Sequence, residues 1–131
     1  MTRETSLWQT VKRELGRFGA LERIENRLAA GTPDVAFQLH RQAVLSPSSA
    51  TRNMFEERAR FSYYRGSGWL ELKSVPAWPQ RPETPLRVRG LTEEQVGFLR
   101  RWSQAGGLAF LLMQIGRAYL LLDHKTTGLI R

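Results

Sequence analysis

Apolar side chains recur at helical spacing along residues 5–18. Trp8, Val11, Leu15 and Phe18 follow one another by three or four positions, with Leu7 beside them, while Lys12, Arg13 and Arg17 face away. This predicts an amphipathic helix, closed by Gly16 and Gly19. Residues 21–26 alternate in part and read as a short strand, residues 29–33 as a turn, and Val35, Phe37 and Leu39 as one face of a second strand. Residues 41–65 carry no regular pattern. They read as an insertion, with a Ser46-Pro47-Ser48-Ser49 loop and a short basic helix over 51–60.

Alternation returns at residues 69–73, where Leu70 and Leu72 share one face and Trp69, Glu71 and Lys73 the other. Pro76, Pro79, Pro82 and Pro85 then fall on every third residue. In a polyproline II helix they would line one edge of a stiff arm spanning about residues 74–90, decorated by Arg81, Arg87 and Arg89. Thr92-Glu93-Glu94-Gln95 fits a capping box, and Val96 and Leu99 begin an apolar stripe that Trp102 or Ser103 continues. Gly106-Gly107 ends that helix. Two apolar strands, over 108–113 and 119–122, follow across a tight Gly116-Arg117 turn. The order is that of a mixed α/β domain.

The length of 131 residues fits one domain spanning residues 1–131. With no cysteine, the chain has no disulfide framework, zinc ribbon or thiol nucleophile. No apolar run reaches the roughly 18 residues of a membrane span, and the N-terminus lacks a signal-peptide pattern. A soluble, cytoplasmic protein is expected, with neither a membrane nor a small-molecule cofactor as partner. A net charge of +8 points instead to a polyanion. The cations are 17 Arg against 3 Lys. Arginine suits bidentate phosphate contact, although GC-rich coding would give the same ratio. It would not give the net charge.

One constellation carries chemistry. Pro33-Asp34 opens a strand, and Glu71 and Lys73 project from one face of a later one. If those strands pair, two carboxylates and an ammonium converge. Oxygen ligands of this kind suit Mg²⁺ or Mn²⁺, and the lysine stands where an attacking water could be oriented or deprotonated. That combination hydrolyses phosphodiesters.

Gly31-Thr32-Pro33-Asp34-Val35, then Trp69-Leu70-Glu71-Leu72-Lys73, then Leu91-Thr92-Glu93-Glu94-Gln95 resembles the PD-(D/E)xK nuclease superfamily. Within it, the pattern is most similar to the VRR-NUC and Holliday-junction-resolvase-like branch common in bacteriophages. There G-x-P-D precedes E-x-K, a helix opening with glutamine follows, and a glycine and a hydrophobic strand come next. The match spans residues 4–122. The resemblance implies a single mixed β-sheet flanked by helices, a restriction-endonuclease-like core in α-β-β-β-α-β order. It also implies a Mg²⁺- or Mn²⁺-dependent DNA endonuclease, selective for branched DNA such as a Holliday junction, in the bacterial host cell if phage-encoded.

Carried over, the resemblance makes Asp34 and Glu71 metal ligands, Lys73 the catalytic lysine and Gln95 an active-site residue. An additional glutamate is expected from the first helix, where Glu4 lies on the inward stripe and Glu14 about 60° off it. Glu25 is a further candidate for that ligand. Two features depart from the family: 36 residues separate Asp34 from Glu71, and the proline arm is long. Both bear on substrate choice.

Each of these residues also has a plainer reading. Asp34 fits a turn, Glu71 and Lys73 a solvated strand face, Gln95 a capping partner, and Glu4 a helix start favoured by the dipole. His40 and His124 are isolated and read as surface residues. Arg58, Arg60 and Arg65 beside Tyr63-Tyr64 form a nucleic-acid contact patch, and Arg81, Arg87 and Arg89 a second. Trp78 could stack on a base; Trp102 fits the core better. One active site per chain makes two cuts only as two copies, so a homodimer is expected. The alternatives are a non-catalytic nucleic-acid-binding module on the same fold, and a nicking or site-preferring nuclease.

Overall fold

A computed structural model describes residues 3–24, 30–44 and 63–131, without the side chains of 3, 4, 40–44 and 63–65. The chain runs α1 (Arg3–Leu15), a 3₁₀ turn (Gly16–Phe18), β1 (Gly19–Arg23), β2 (Val35–Val44), β3 (Tyr63–Val75), α2 (Glu93–Gln104), β4 (Leu108–Ile115), β5 (Ala118–Leu122) and α3 (His124–Leu129). The five strands form one sheet in the order β1-β2-β3-β4-β5. All neighbours are antiparallel except β3 and β4, whose parallel pairing requires a crossover, and α2 lies in it. No helix among the described residues is long and apolar enough to cross a membrane.

The period-two pattern of the strands divides the core between the two faces of the sheet. Leu7, Val11 and Leu15 of α1 pack on Val35, Phe37 and Leu39 of β2 and on Leu70 and Leu72 of β3. On the opposite face Val96 and Leu99 of α2 join Ala109, Leu111, Met113 and Ile115 of β4. Trp69, Glu71 and Lys73 alternate with Leu70 and Leu72, so they point to the α2 face. Because β3 is the central strand, a polar stripe there is covered rather than solvated.

Several boundaries differ from the sequence reading. β2 runs to Val44 and β3 begins at Tyr63, so both ends of the predicted 41–65 insertion belong to long paired strands. The predicted helix over 51–60 lies outside the described residues. The proline segment starts after Val75 and is not a straight polyproline arm. Thr84 N–H donates to Arg81 O at 3.1 Å, closing a turn with Pro82 at its second position. Proline's fixed φ favours that geometry, and the turn folds the segment back over the end of β3. α3 was not predicted; Asp123 caps it, accepting from Thr126 N–H at 2.9 Å.

Candidate active site

The loop before β2 and the strand β3 meet with their acidic residues face to face. Val35 pairs with Leu70 in the antiparallel β2–β3 register, and one further step sets Asp34 opposite Glu71. Asp34 has already turned out of the ladder. Its Oδ2 accepts from Leu72 N–H at 2.8 Å, while its carbonyl accepts from Ile24 N–H at 2.8 Å. Asp34 is 8% exposed and Glu71 1%. Like charges placed opposite each other across a pair of strands are destabilising, more so away from water.

Two side chains offset that repulsion. Lys73 Nζ lies 3.6 Å from Glu71 Oε1 and donates to Gly90 O at 2.8 Å. Gln95 Nε2 donates to the same Glu71 oxygen at 3.0 Å. Gln95 reaches it because the capping box predicted from Thr92 forms in full. Gln95 N–H donates to Thr92 Oγ1 at 3.2 Å, and Gln95 Oε1 accepts from Thr92 N–H at 2.9 Å. The two readings of Gln95, cap and site residue, are therefore one arrangement. The amide oxygen holds the helix start and the amide nitrogen holds the carboxylate.

Gly31 sets the distance between the Pro33-Asp34 loop and α2. Its φ is +84°, and a Cβ there would stand 2.3 Å from Glu94 O. A glycine is needed both for that backbone conformation and for that approach.

With two opposed buried carboxylates and one ammonium, the cluster carries a formal charge of −1. An all-oxygen donor set with excess negative charge suits a hard divalent cation such as Mg²⁺ or Mn²⁺. Among the described residues no group of three His, Cys, Asp or Glu side chains comes together. Of the candidates for a third ligand, Glu4 stands in the first turn of α1 with its side chain outside the described part. Glu25 lies outside the described residues. Glu14 pairs with Arg13 and Arg17 on the exposed face of α1 and is turned away from the sheet.

The predicted phosphate-binding arginines divide in the same way. Arg58 and Arg60 lie outside the described residues, and Arg65 is on β3 with its side chain outside them. Arg81 and Arg89 are exposed. Arg87 is also exposed, but its Nη1 donates to the carbonyls of Leu129 and Arg131 at 3.1 and 3.2 Å, tying the segment before α2 to the end of the chain. Trp102 is not a core residue. It stacks on Phe98 at 5.8 Å and meets Trp69 edge-on at 5.6 Å, in an aromatic cluster at the surface end of α2.

Sequence reasoning missed one contributor. Gly90 supplies a backbone oxygen to Lys73, which any residue type would provide and no motif marks. Trp78, 47% exposed, borders a cleft that opens at Lys73. The sequence reading offers that indole for stacking on a base.

No family model matches the chain, and no curated protein matches it. Five solved chains match it in fold. One is Hjc of Archaeoglobus fulgidus, a Holliday junction resolvase from an archaeal hyperthermophile. That likeness has a TM-score of 0.54 at 15% identity, covering 95% of this chain and 75% of the resolvase chain. The chain thus has an Hjc-like, restriction-endonuclease-like fold, a single mixed five-stranded sheet with flanking helices.

Proposed function

We propose that the protein is a divalent-metal-dependent DNA endonuclease of the PD-(D/E)xK type, selective for branched DNA. The observation that carries this reading is the opposition of Asp34, at the entry to β2, and Glu71 on β3, with Lys73 ion-paired to Glu71. A structural role alone gives little reason to bury two carboxylates against each other. The fold shared with Hjc supports the same reading.

In this account Asp34 and Glu71, with Glu4 or Glu25, hold the metal. A bound Mg²⁺ or Mn²⁺ supplies positive charge at the phosphodiester and favours attack by water. Lys73 directs its ammonium at the same phosphate, orients the attacking water and restrains Glu71. Gln95 holds Glu71 by Oε1 and so fixes the carboxylate plane. Hydrolysis adds the hydroxyl of water to phosphorus and delivers its proton to the leaving oxygen. Arginines, among them Arg58, Arg60, Arg65, Arg81, Arg87 and Arg89, neutralise flanking phosphates, so affinity should fall steeply with salt. Two symmetric cuts in a junction need two active sites, hence a homodimer.

A non-catalytic DNA-binding module is the second reading. It is favoured by the protein donors already committed to both carboxylates: Leu72 N–H on Asp34, and Gln95 with Lys73 on Glu71. Cleavage of a labelled four-way junction beside the matching linear duplex, in Mg²⁺, Mn²⁺ or EDTA, separates the two. Metal-dependent, paired cuts in the junction support the resolvase-like nuclease. Discrete cuts in the linear duplex indicate a site-preferring or nicking enzyme. Tight, salt-sensitive binding with no cut under either metal leaves the binding module.

A further inference from the structure

Beside the buried lysine lies a cleft of about 460 Å³, within the roughly 300–1,000 Å³ range of small-ligand sites. Its floor is the end of β3 from Lys73 to Val75. Its wall is the proline-rich segment, which leaves the strand at Pro76, turns at Pro82 and returns to Gly90. The lining joins three kinds of surface. Prolines with Leu86 and Val88 are apolar, Trp78 offers an indole, and Lys73, Arg87 and Arg89 are cationic. No carboxylate is among the described lining residues. Such a cleft selects an anion that also carries a flat apolar body.

Duplex DNA does not present that combination, because its bases are stacked inside. An unpaired nucleotide does: its base is free to stack on an aromatic ring while its phosphate stays charged. The position of the cleft is as informative as its lining. Gly90, whose carbonyl holds Lys73 Nζ at 2.8 Å, is also part of the wall. The cleft therefore opens at the lysine. Arg87 is engaged with the carbonyls of Leu129 and Arg131 and braces the wall. Arg89, exposed at the mouth, is the better phosphate contact.

We infer that this cleft takes an unpaired nucleotide of the DNA strand next to the phosphodiester held at Lys73, with the base against Trp78 and the phosphate against Arg89. The inference rests on the reading of Asp34, Glu71 and Lys73 as a phosphodiester site and adds what selects the substrate. The preference for branched DNA then has a local cause, since bases are easily unpaired at a branch point.

The test uses a forked duplex carrying 2-aminopurine at the first unpaired position, beside the fully paired duplex of the same sequence. Binding in EDTA and cleavage in Mg²⁺ are read for the wild type, Trp78→Ala, Trp78→Phe and Arg89→Ala. The wild type should quench the 2-aminopurine and prefer the fork by about tenfold, within what one base–aromatic stack supplies. Trp78→Phe should keep most of that preference. Trp78→Ala and, independently, Arg89→Ala should bring the fork-to-duplex ratio close to one. A wild type without preference, or a Trp78→Ala protein that keeps both preference and quenching, overturns the inference. A protein that binds the fork through Trp78 yet cuts nothing keeps the subsite and removes the nuclease reading. One that cuts fork and duplex equally does the reverse.

Discussion

Gln95 Nε2 donates to Glu71 Oε1 at 3.0 Å while the oxygen of the same amide accepts from Thr92 N–H at 2.9 Å. A single side chain thus fixes both the start of α2 and the carboxylate on the central strand. Moving the helix moves Glu71's partner, so the crossover that makes the β3–β4 pair possible also sets the position of the carboxylate beneath it.

Replacing Gln95 separates these two roles. Gln95→Ala should lose the reciprocal cap, at a cost of about 1 kcal/mol, and release Glu71. Gln95→Glu can still accept from Thr92 N–H but sets a third carboxylate against Glu71. Urea denaturation should therefore show Gln95→Ala destabilised by the cap. Cleavage by Gln95→Glu should fall further than its stability does. A Gln95→Glu protein that keeps both its stability and its cleavage would assign Gln95 to the cap alone.

Gly31→Ala should be among the most damaging small substitutions in the chain. The residue would have to hold a φ of +84° with its Cβ 2.3 Å from Glu94 O. Either the loop carrying Asp34 or the first turn of α2 must move, at a cost of about 2 kcal/mol or more. The check is the denaturation midpoint against Gly16→Ala, where a Cβ meets nothing within 4 Å.

How far the sequence reached follows from which signals are local. Strand alternation placed Glu71 and Lys73 on one face, and the capping box placed Gln95, because both patterns span only a few residues. The opposition of Asp34 and Glu71 depended on strand pairing and register, which residues distant in sequence do not encode locally, so it stood as a condition that the family likeness supported. The proline segment misled because spacing by three is a periodicity without hydrogen bonds to enforce it. A turn at Pro82 satisfies the same prolines and lets the segment pack on β3. α3 escaped notice because its single large apolar residue, Leu129, is its last residue, is exposed and makes no stripe; its start rests on the Asp123 cap.

The Asp123 carboxyl is held below the usual carboxylate range, first by the Thr126 backbone N–H that it accepts, against a smaller opposing effect of burial. A lowered folded-state pKa means that this contribution is present above the unfolded value and is lost as pH falls through the folded one. Asp123→Asn keeps an uncharged cap. The stability difference between wild type and Asp123→Asn should favour the wild type at neutral pH and close on acidification. Paired urea melts across pH check this; a gap that widens in acid would contradict it.

On the proposed reading, charge balance at the site makes stability and metal binding interdependent. Lys73→Met leaves Asp34 and Glu71 opposed with no ammonium beside Glu71, a loss of about 3 kcal/mol for a broken buried pair. Mg²⁺ or Mn²⁺ should recover part of that loss in thermal melts, by more than either ion stabilises the wild type. Recovery by monovalent salt at matched ionic strength would instead indicate simple screening.

Glu71→Gln tests the central claim most directly. The amide oxygen can still accept from Gln95, and Lys73 keeps its bond to Gly90 O at 2.8 Å, so the variant should stay folded in EDTA and lose no more stability than Lys73→Met, which breaks the same ion pair from the other side. The decisive measurement is Mg²⁺-dependent cleavage of a four-way junction by wild type and Glu71→Gln, with DNA affinity measured in EDTA on the same preparations. A folded, DNA-binding Glu71→Gln protein whose cleavage has dropped at least about a hundredfold is the predicted result. Undiminished cleavage by that variant would contradict the assignment of this site.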